Sequence, residues 1–178
     1  METNPKKWEI RTAANPVDFM ATIFVGEHER TIDAKSRLSI PAEYRTSQGP
    51  DGGPLRFYLV PGARRGTVSL YLEEDFARHA QDLSSELLSD EDELTYMQMF
   101  YSQAALLDVD KQGRILIPER LLARHAIGRE VLITGANDRL DLWNKADYEK
   151  FWEDNEPRKE ELKRLARKAA RDRRNQNA

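Results

Sequence analysis

Two short segments carry residue types that can do recognition chemistry. They are Asp33-Ala34-Lys35-Ser36-Arg37-Leu38-Ser39-Ile40-Pro41 and Asp110-Lys111-Gln112-Gly113-Arg114-Ile115-Leu116-Ile117-Pro118, and both read Asp-x3-Arg-x3-Pro. An aspartate opening a bend accepts hydrogen bonds from the turn amides, so Asp33 and Asp110 are expected to stabilise turns. Arg37 and Arg114 offer forked donors that match the acceptor pair on the major-groove edge of guanine. Lys35 and Lys111 suit phosphate as point charges, and Arg30, just before the first bend, is placed to reach the same groove. The chemistry expected is therefore readout of double-stranded DNA by a narrow basic tip, with Arg30, Lys35, Arg37, Lys111 and Arg114 as the binding set. For an isolated Asp-x3-Arg the stronger reading is a plain surface ion pair, from Asp33 to Arg37 and from Asp110 to Arg114, which stabilises little. It is the recurrence of the motif in a wider duplication that turns the preference toward binding. The two roles are compatible, because an aspartate can hold its arginine in a ready rotamer.

Bond-making chemistry finds no equivalent signal. The sequence has no Walker loop, no Gly-x-Gly-x-x-Gly, no His-Glu-x-x-His and no Gly-x-Ser-x-Gly. Without cysteine, disulfides, thiolate metal sites and cysteine nucleophiles are excluded. His28 lies between Glu27 and Glu29 on an expected strand, where alternation sends the carboxylates to the face opposite the imidazole. His79 and His125 fall in helices of different units with no ligand pattern nearby. No catalytic residue, cofactor or metal is expected, and the chain reads as a non-enzyme.

These tips must be positioned by a soluble fold. With 178 residues and 39% hydrophobic content the chain can build a core, and no run of about 18 apolar residues marks a membrane span. The first residues lack the apolar stretch of a secretory signal, so a cytoplasmic location without membrane association is expected. The net charge of −3 argues at first against nucleic acid, but charge is unevenly spread. Glu73 to Glu93 is acidic, whereas Arg158 to Arg174 is dense in Lys and Arg. That basic tail reads as a helix with a narrow Leu162 and Leu165 edge, adding non-specific phosphate contacts, or equally as a disordered solubilising end. Arg64 and Arg65 read as solvated loop charge.

The motif recurs within a larger duplication. Leu70-Tyr71 followed by Asp75-Phe76 finds a counterpart in Leu142-Trp143 followed by Asp147-Tyr148, in the same order after the first match. Each unit reads as strand, bend, strand, helix, strand, strand, helix. Strands are expected at Phe24 to Ile32, Arg37 to Ile40, Leu106 to Val109 and Arg114 to Ile117, so that each motif is a hairpin. A helix from Pro118 to Ile127 should end at Gly128, and strands at Glu130 to Thr134 and Arg139 to Trp143 should flank a Gly135 to Asp138 turn. Asn144, three residues before Asp147, is expected to cap a helix through Trp152. The first unit adds an insertion at Gln48 to Pro54, a Pro61 to Gly66 turn and a helix from Glu73 to Leu87. A further helix capped by Ser89 runs to Tyr101, with Tyr96, Met97 and Phe100 expected to pack on the barrel or on a neighbouring subunit.

The run from Gly26 through Pro41, together with the second motif in order, resembles the MraZ family within the wider AbrB-like group of swapped-hairpin barrels. The resemblance covers roughly residues 22 to 152. Ser36 departs from it, standing where the family usually has glycine, whereas Gly113 keeps the usual residue. The resemblance implies an α+β fold in which two tandem AbrB-like repeats form a swapped-hairpin β-barrel with peripheral helices. It also implies a homo-oligomer, a ring, bound to G-rich direct repeats upstream of the division and cell-wall gene cluster, and so a nucleoid-associated regulator. An antitoxin-like or scaffolding interaction protein on the same fold is the alternative. The expected organisation is an N-terminal arm at 1–22, a first repeat with a helical extension at 23–101, a second repeat at 102–154 and a basic tail at 155–178.

Overall fold

The computed structural model describes residues 22–45, 53–82 and 90–176. Its strands are β1 (Glu27–Thr31), β2 (Arg37–Ser39), β3 (Arg56–Pro61), β4 (Thr67–Leu72), β5 (Ala105–Asp108), β6 (Arg114–Leu116), β7 (Glu130–Gly135) and β8 (Arg139–Asn144). The helices are α1 (Glu73–Asp82), α2 (Glu91–Tyr101), α3 (Glu119–Arg124), α4 (Lys145–Asn155) and α5 (Lys159–Gln176), with 3-10 turns at Ala42–Arg45 and Glu156–Arg158. The fold is a mixed α/β arrangement around antiparallel sheet.

Six strands form one sheet in the order β1-β7-β8-β4-β3-β5, and β2 and β6 form a separate two-stranded ribbon. Three of its five ladders join strands from the first and second halves of the chain: Arg30 lies opposite Val131, Leu70 opposite Leu140, and Phe57 opposite Leu107. One inner face collects the apolar alternation. Phe24, Phe57, Leu59, Leu70, Ile133, Leu140 and Leu142 are fully buried there, joined by Leu38, Ile40, Ile115 and Ile117 from the ribbon and its exits. Truncating one of these to alanine costs about 2 to 5 kcal/mol by lost transfer energy and cavity formation. The sheet's other face carries a smaller cluster of Val60, Tyr71, Phe76 and Phe100 under α1 and α2.

Several expectations change in contact with this topology. The sheet stays open, with β1 and β5 as its unpaired ends, instead of closing into a barrel. The ribbon covers the open side: β2 approaches β1 and β6 approaches β5, and Leu38 and Ile115 plug the interior. The Asp motifs are not hairpins of paired strands either. β1 pairs with β7 and β2 with β6, so each bend links two sheets, and the exchange lets all five residues of β1 pair where the three of β2 would have left two without a partner.

Local boundaries shift for identifiable reasons. The strand expected from Phe24 begins at Glu27, since Gly26 has φ +88° and leaves Phe24 in an isolated bridge to Asn137. The Phe24–Val25 backbone crosses directly over Gly135, where any Cβ would collide with it. Ala126, not Gly128, takes the left-handed position after α3 at φ +53°. The Ile127 amide there donates to the Leu122 carbonyl at 2.8 Å, and Ala126 donates to Ala123 at 3.2 Å, closing a Schellman-type end. Asn144 precedes α4 but does not cap it. Its Nδ2 donates to Ala126 O and Asp147, and its Oδ1 accepts from the Gly128 amide at 2.7 Å, so it staples the loop after α3. Asp90 caps α2, accepting from the Asp92 amide at 3.0 Å. Ser89, residues 1–21, the insertion up to 52 and the end of the expected Glu73 to Leu87 helix lie outside the described residues.

Candidate nucleic-acid interface

The two motif turns are built by one set of hydrogen bonds, repeated. In the first, Asp33 Oδ1 accepts from the Lys35 amide at 2.8 Å and the Arg37 amide at 3.0 Å, while Oδ2 accepts from Arg37 Nε at 2.7 Å. In the second, Asp110 Oδ1 accepts from the Gln112 amide at 2.8 Å and the Arg114 amide at 3.0 Å, while Oδ2 accepts from Arg114 Nε at 3.0 Å and Nη2 at 2.8 Å. Arg37 Nη2 likewise stands 2.7 Å from Asp33 Oδ2. The backbone agrees: Asp33 N donates to Arg37 O at 3.0 Å and Asp110 N to Arg114 O at 2.8 Å.

Those donors explain the titration of both carboxyls. The Arg37 amide, followed by its guanidinium and the Lys35 amide, holds Asp33 down at about 2. The Arg114 guanidinium and amide lower Asp110 in the same sense. A carboxylate that accepts backbone N–H and guanidinium bonds is stabilised in its charged form, so both turns keep their anion throughout the neutral range.

The turns interlock. The Ile40 amide donates to Gly113 O and the Ile117 amide to Ser36 O, each at 2.9 Å, so each turn's fourth residue is tied to the strand leaving the other. In the ribbon Arg37 lies opposite Leu116, Leu38 opposite Ile115, and Ser39 opposite Arg114. Leu38 and Ile115 point into the core, which sends Arg37, Ser39, Arg114 and Leu116 to the outer face. Arg37 and Arg114 are then diagonal cross-strand neighbours, roughly 7 to 8 Å apart along the ribbon. Each aspartate grips its guanidinium by the Nε edge. Among the described residues neither Nη1 has a hydrogen-bond partner, and the Arg37 and Arg114 side chains are 32% and 26% exposed.

Of the other expected residues, Lys35 and Lys111 are exposed at the bends. Arg30 is half-buried on β1, where Nη1 donates to Glu29 O at 2.7 Å and its charge is felt by Tyr44. No hydrogen bond or ion pair joins it to Asp33 or Asp110 among the described residues. Arg64 sits 4.6 Å from the centre of the Phe151 ring, beside α4. His28 pairs with Glu43 on one side of β1, whereas Glu27 accepts from Tyr148 and Glu29 from Lys145 on the other.

Arg45 has no place in the sequence motif, yet its side chain lies across the second turn. Gly113 has φ +76°, and a Cβ there would fall 2.7 Å from Arg45 Cδ and overlap the guanidinium. Ser36, at φ +58°, bears a side chain in the same left-handed conformation. The two turns therefore differ: one admits serine at a backbone cost, and the other needs glycine to let Arg45 pass. No spacing rule could have found Arg45, because it follows Arg37 through the 3-10 turn and meets Gly113 only in the folded chain.

The family model for the MraZ protein, described as antitoxin-like, matches residues 100–169. The transcriptional regulator MraZ of Mycoplasmopsis pulmonis is 31% identical over 126 residues, covering 71% of this chain and 82% of the relative. The protein of the same name from Acetivibrio thermocellus is 33% identical over 129 residues, 72% of this chain and 86% of its own length. That of Heliobacterium modesticaldum is 31% identical over 140 residues, 79% of this chain and 94% of its own.

Proposed function

Because this chain belongs to the MraZ family of transcriptional regulators, we propose that it binds double-stranded DNA sequence-specifically through the outer face of the β2–β6 ribbon. It is a regulator and not an enzyme. The observation that carries the binding reading is the pair of identically bonded Asp–Arg turns, which set two guanidinium edges side by side on one exposed surface. A two-stranded ribbon fits the major groove, and a guanidinium held by one edge presents its other edge to the O6 and N7 of guanine. Lys35 and Lys111 flank the arginines as phosphate contacts, Leu116, 61% exposed, suits a thymine methyl, and Arg30 is a peripheral member of the set.

The finer architecture belongs to the same proposal. Two repeats, 23–101 and 102–154, exchange strands about a local twofold axis. The support is that positions matched by the duplication face each other: Leu38 opposite Ile115 and Ser69 opposite Asp141. Several copies assemble head to tail into a ring whose ribbons read G-rich direct repeats, placing the chain at the nucleoid upstream of division and cell-wall genes. Among the described residues no helix is long and apolar enough to cross a membrane.

Titrating the protein onto its own upstream region and onto a random duplex, across a salt series, tests the reading. Preference for the upstream duplex that disappears with Arg37→Ala and Arg114→Ala is expected. One feature favours the alternative, an antitoxin-like or scaffolding partner binder: Phe100 is buried as expected, but Leu94, Tyr96 and Met99 of α2 are exposed at 49%, 57% and 59%. Equal binding to both duplexes, combined with a stoichiometric protein partner lost on Tyr96→Ala, would select it.

A further inference from the structure

We propose that α5 is a second DNA-binding element, one that grips the phosphate backbone without reading bases. The proposal rests on the reading of this chain as a DNA-binding regulator. α5 carries eight Lys or Arg against three Asp or Glu, in a chain whose net charge is −3. At 100° per residue, Lys163, Arg164, Arg167, Lys168, Arg171 and Arg174 fall on one side within an arc of roughly 140°. All six are exposed, and among the described residues the helix meets the rest of the fold at its start, on the preceding 3-10 turn and through Lys159 over the Trp152 ring.

Such a face is costly for an isolated helix. Lys163 and Arg167, Arg164 and Lys168, and Arg167 and Arg171 are like charges at i,i+4, a destabilising spacing. Only Glu160, 3.6 Å from Lys163, answers any of them with an ion pair among the described residues. Among the described residues nothing else answers this concentration of charge, whereas a polyanion would relieve it. The six cations span about 17 Å of helix axis, a length over which duplex DNA presents about ten phosphates. Four of the six are arginines, whose planar forks suit phosphate oxygens. The opposite side, with Leu162, Leu165, Ala166 and Ala169, is narrow and has no aromatic anchor, unlike helices that lie in a membrane surface.

The test compares the full chain with the variant Arg164→Gln, Arg167→Gln, Lys168→Gln and Arg171→Gln, using the upstream duplex, a random duplex and vesicles containing anionic phospholipid. Glutamine preserves helix propensity, and none of the four side chains touches the core, so circular dichroism should be unchanged. The expected result is an equal loss of affinity for both duplexes, roughly a hundredfold near physiological salt. The log–log salt slope should become shallower by about 3 to 4 per bound subunit. Arg173→Gln, off the basic face, should leave the slope nearly as it was. An unchanged slope, a loss confined to the upstream duplex, or binding to vesicles with no change on DNA would overturn the proposal. Arg37→Ala with Arg114→Ala separates the two readings. If the ribbon is not the reading surface, that variant keeps its sequence preference, while the random-duplex arm still decides the role of α5.

Discussion

Removing both arginines of the ribbon, by Arg37→Ala and Arg114→Ala, separates a reading surface from a structural one. The core beneath them consists of Leu38 and Ile115, which the substitutions leave alone, and the turns retain most of their hydrogen bonds. Asp33 keeps the amides of Lys35 and residue 37, and Asp110 keeps those of Gln112 and residue 114. Since each exposed ion pair adds no more than about 1 kcal/mol, the melting temperature should fall by no more than about 4 to 8 °C. Each lost guanine contact forfeits about 1 to 3 kcal/mol of discrimination, so the pair forfeits about 2 to 6 kcal/mol per subunit. That corresponds to roughly thirtyfold to twenty-thousandfold in preference for the target, and multivalency would amplify it. Arg37→Lys with Arg114→Lys preserves charge but not the fork, and should lose preference while retaining random-duplex affinity. The measurements are duplex titrations, a thermal melt and a solution mass. Unaltered preference would refute the assignment. A melting temperature lowered far beyond the expected range would show instead that the arginines hold the fold.

Ser36→Gly should stabilise the chain by about 0.5 to 1 kcal/mol, because relief of the left-handed cost exceeds the entropy that glycine adds. Gly113→Ser should do the opposite and displace Arg45; thermal melts of both variants that shift in the same direction would contradict this account of the turns. Ala126→Gly should raise stability by up to about 1 kcal/mol through the same conformational argument, read by denaturant midpoint at constant slope. The carboxyl of Asp33 should titrate near 2 in a carbon NMR series. Being depressed, it supports the folded turn fully above its ordinary value of 3.8, and that support is lost as pH falls from there through about 2. In Arg37→Ala the midpoint should rise only partway, because backbone amides remain; a midpoint near 3.8 in the wild type would disprove the turn geometry. Affinity should climb steeply from one to three phased DNA repeats and drop when one is moved by about half a helical turn, whereas a strict palindrome preference in footprints would exclude the head-to-tail ring.

Residue types and spacing determined the local chemistry. Aspartate at the head of a bend, an arginine four residues on and a proline after that specify a carboxylate-closed turn with a captive guanidinium, because every bond involved lies within five residues. The order of strands and helices was legible for the same reason, through alternation, prolines and turn residues. Local signals failed where a partner came from far along the chain. Asn144 has the sequence of a cap, yet its amide is taken by Ala126 and Gly128 once α3 and β8 meet. The motif reads as a hairpin, but β1 finds a five-residue ladder with β7 and β2 pairs with β6, and only the assembled sheet could reveal that exchange. Arg45 crossing Gly113, and the two arginines sharing one face, were likewise decided by tertiary structure. A sequence states which donors and acceptors a segment offers. Which of them remain unspent for a ligand depends on long-range pairing, and that is settled only when the whole chain has satisfied its own.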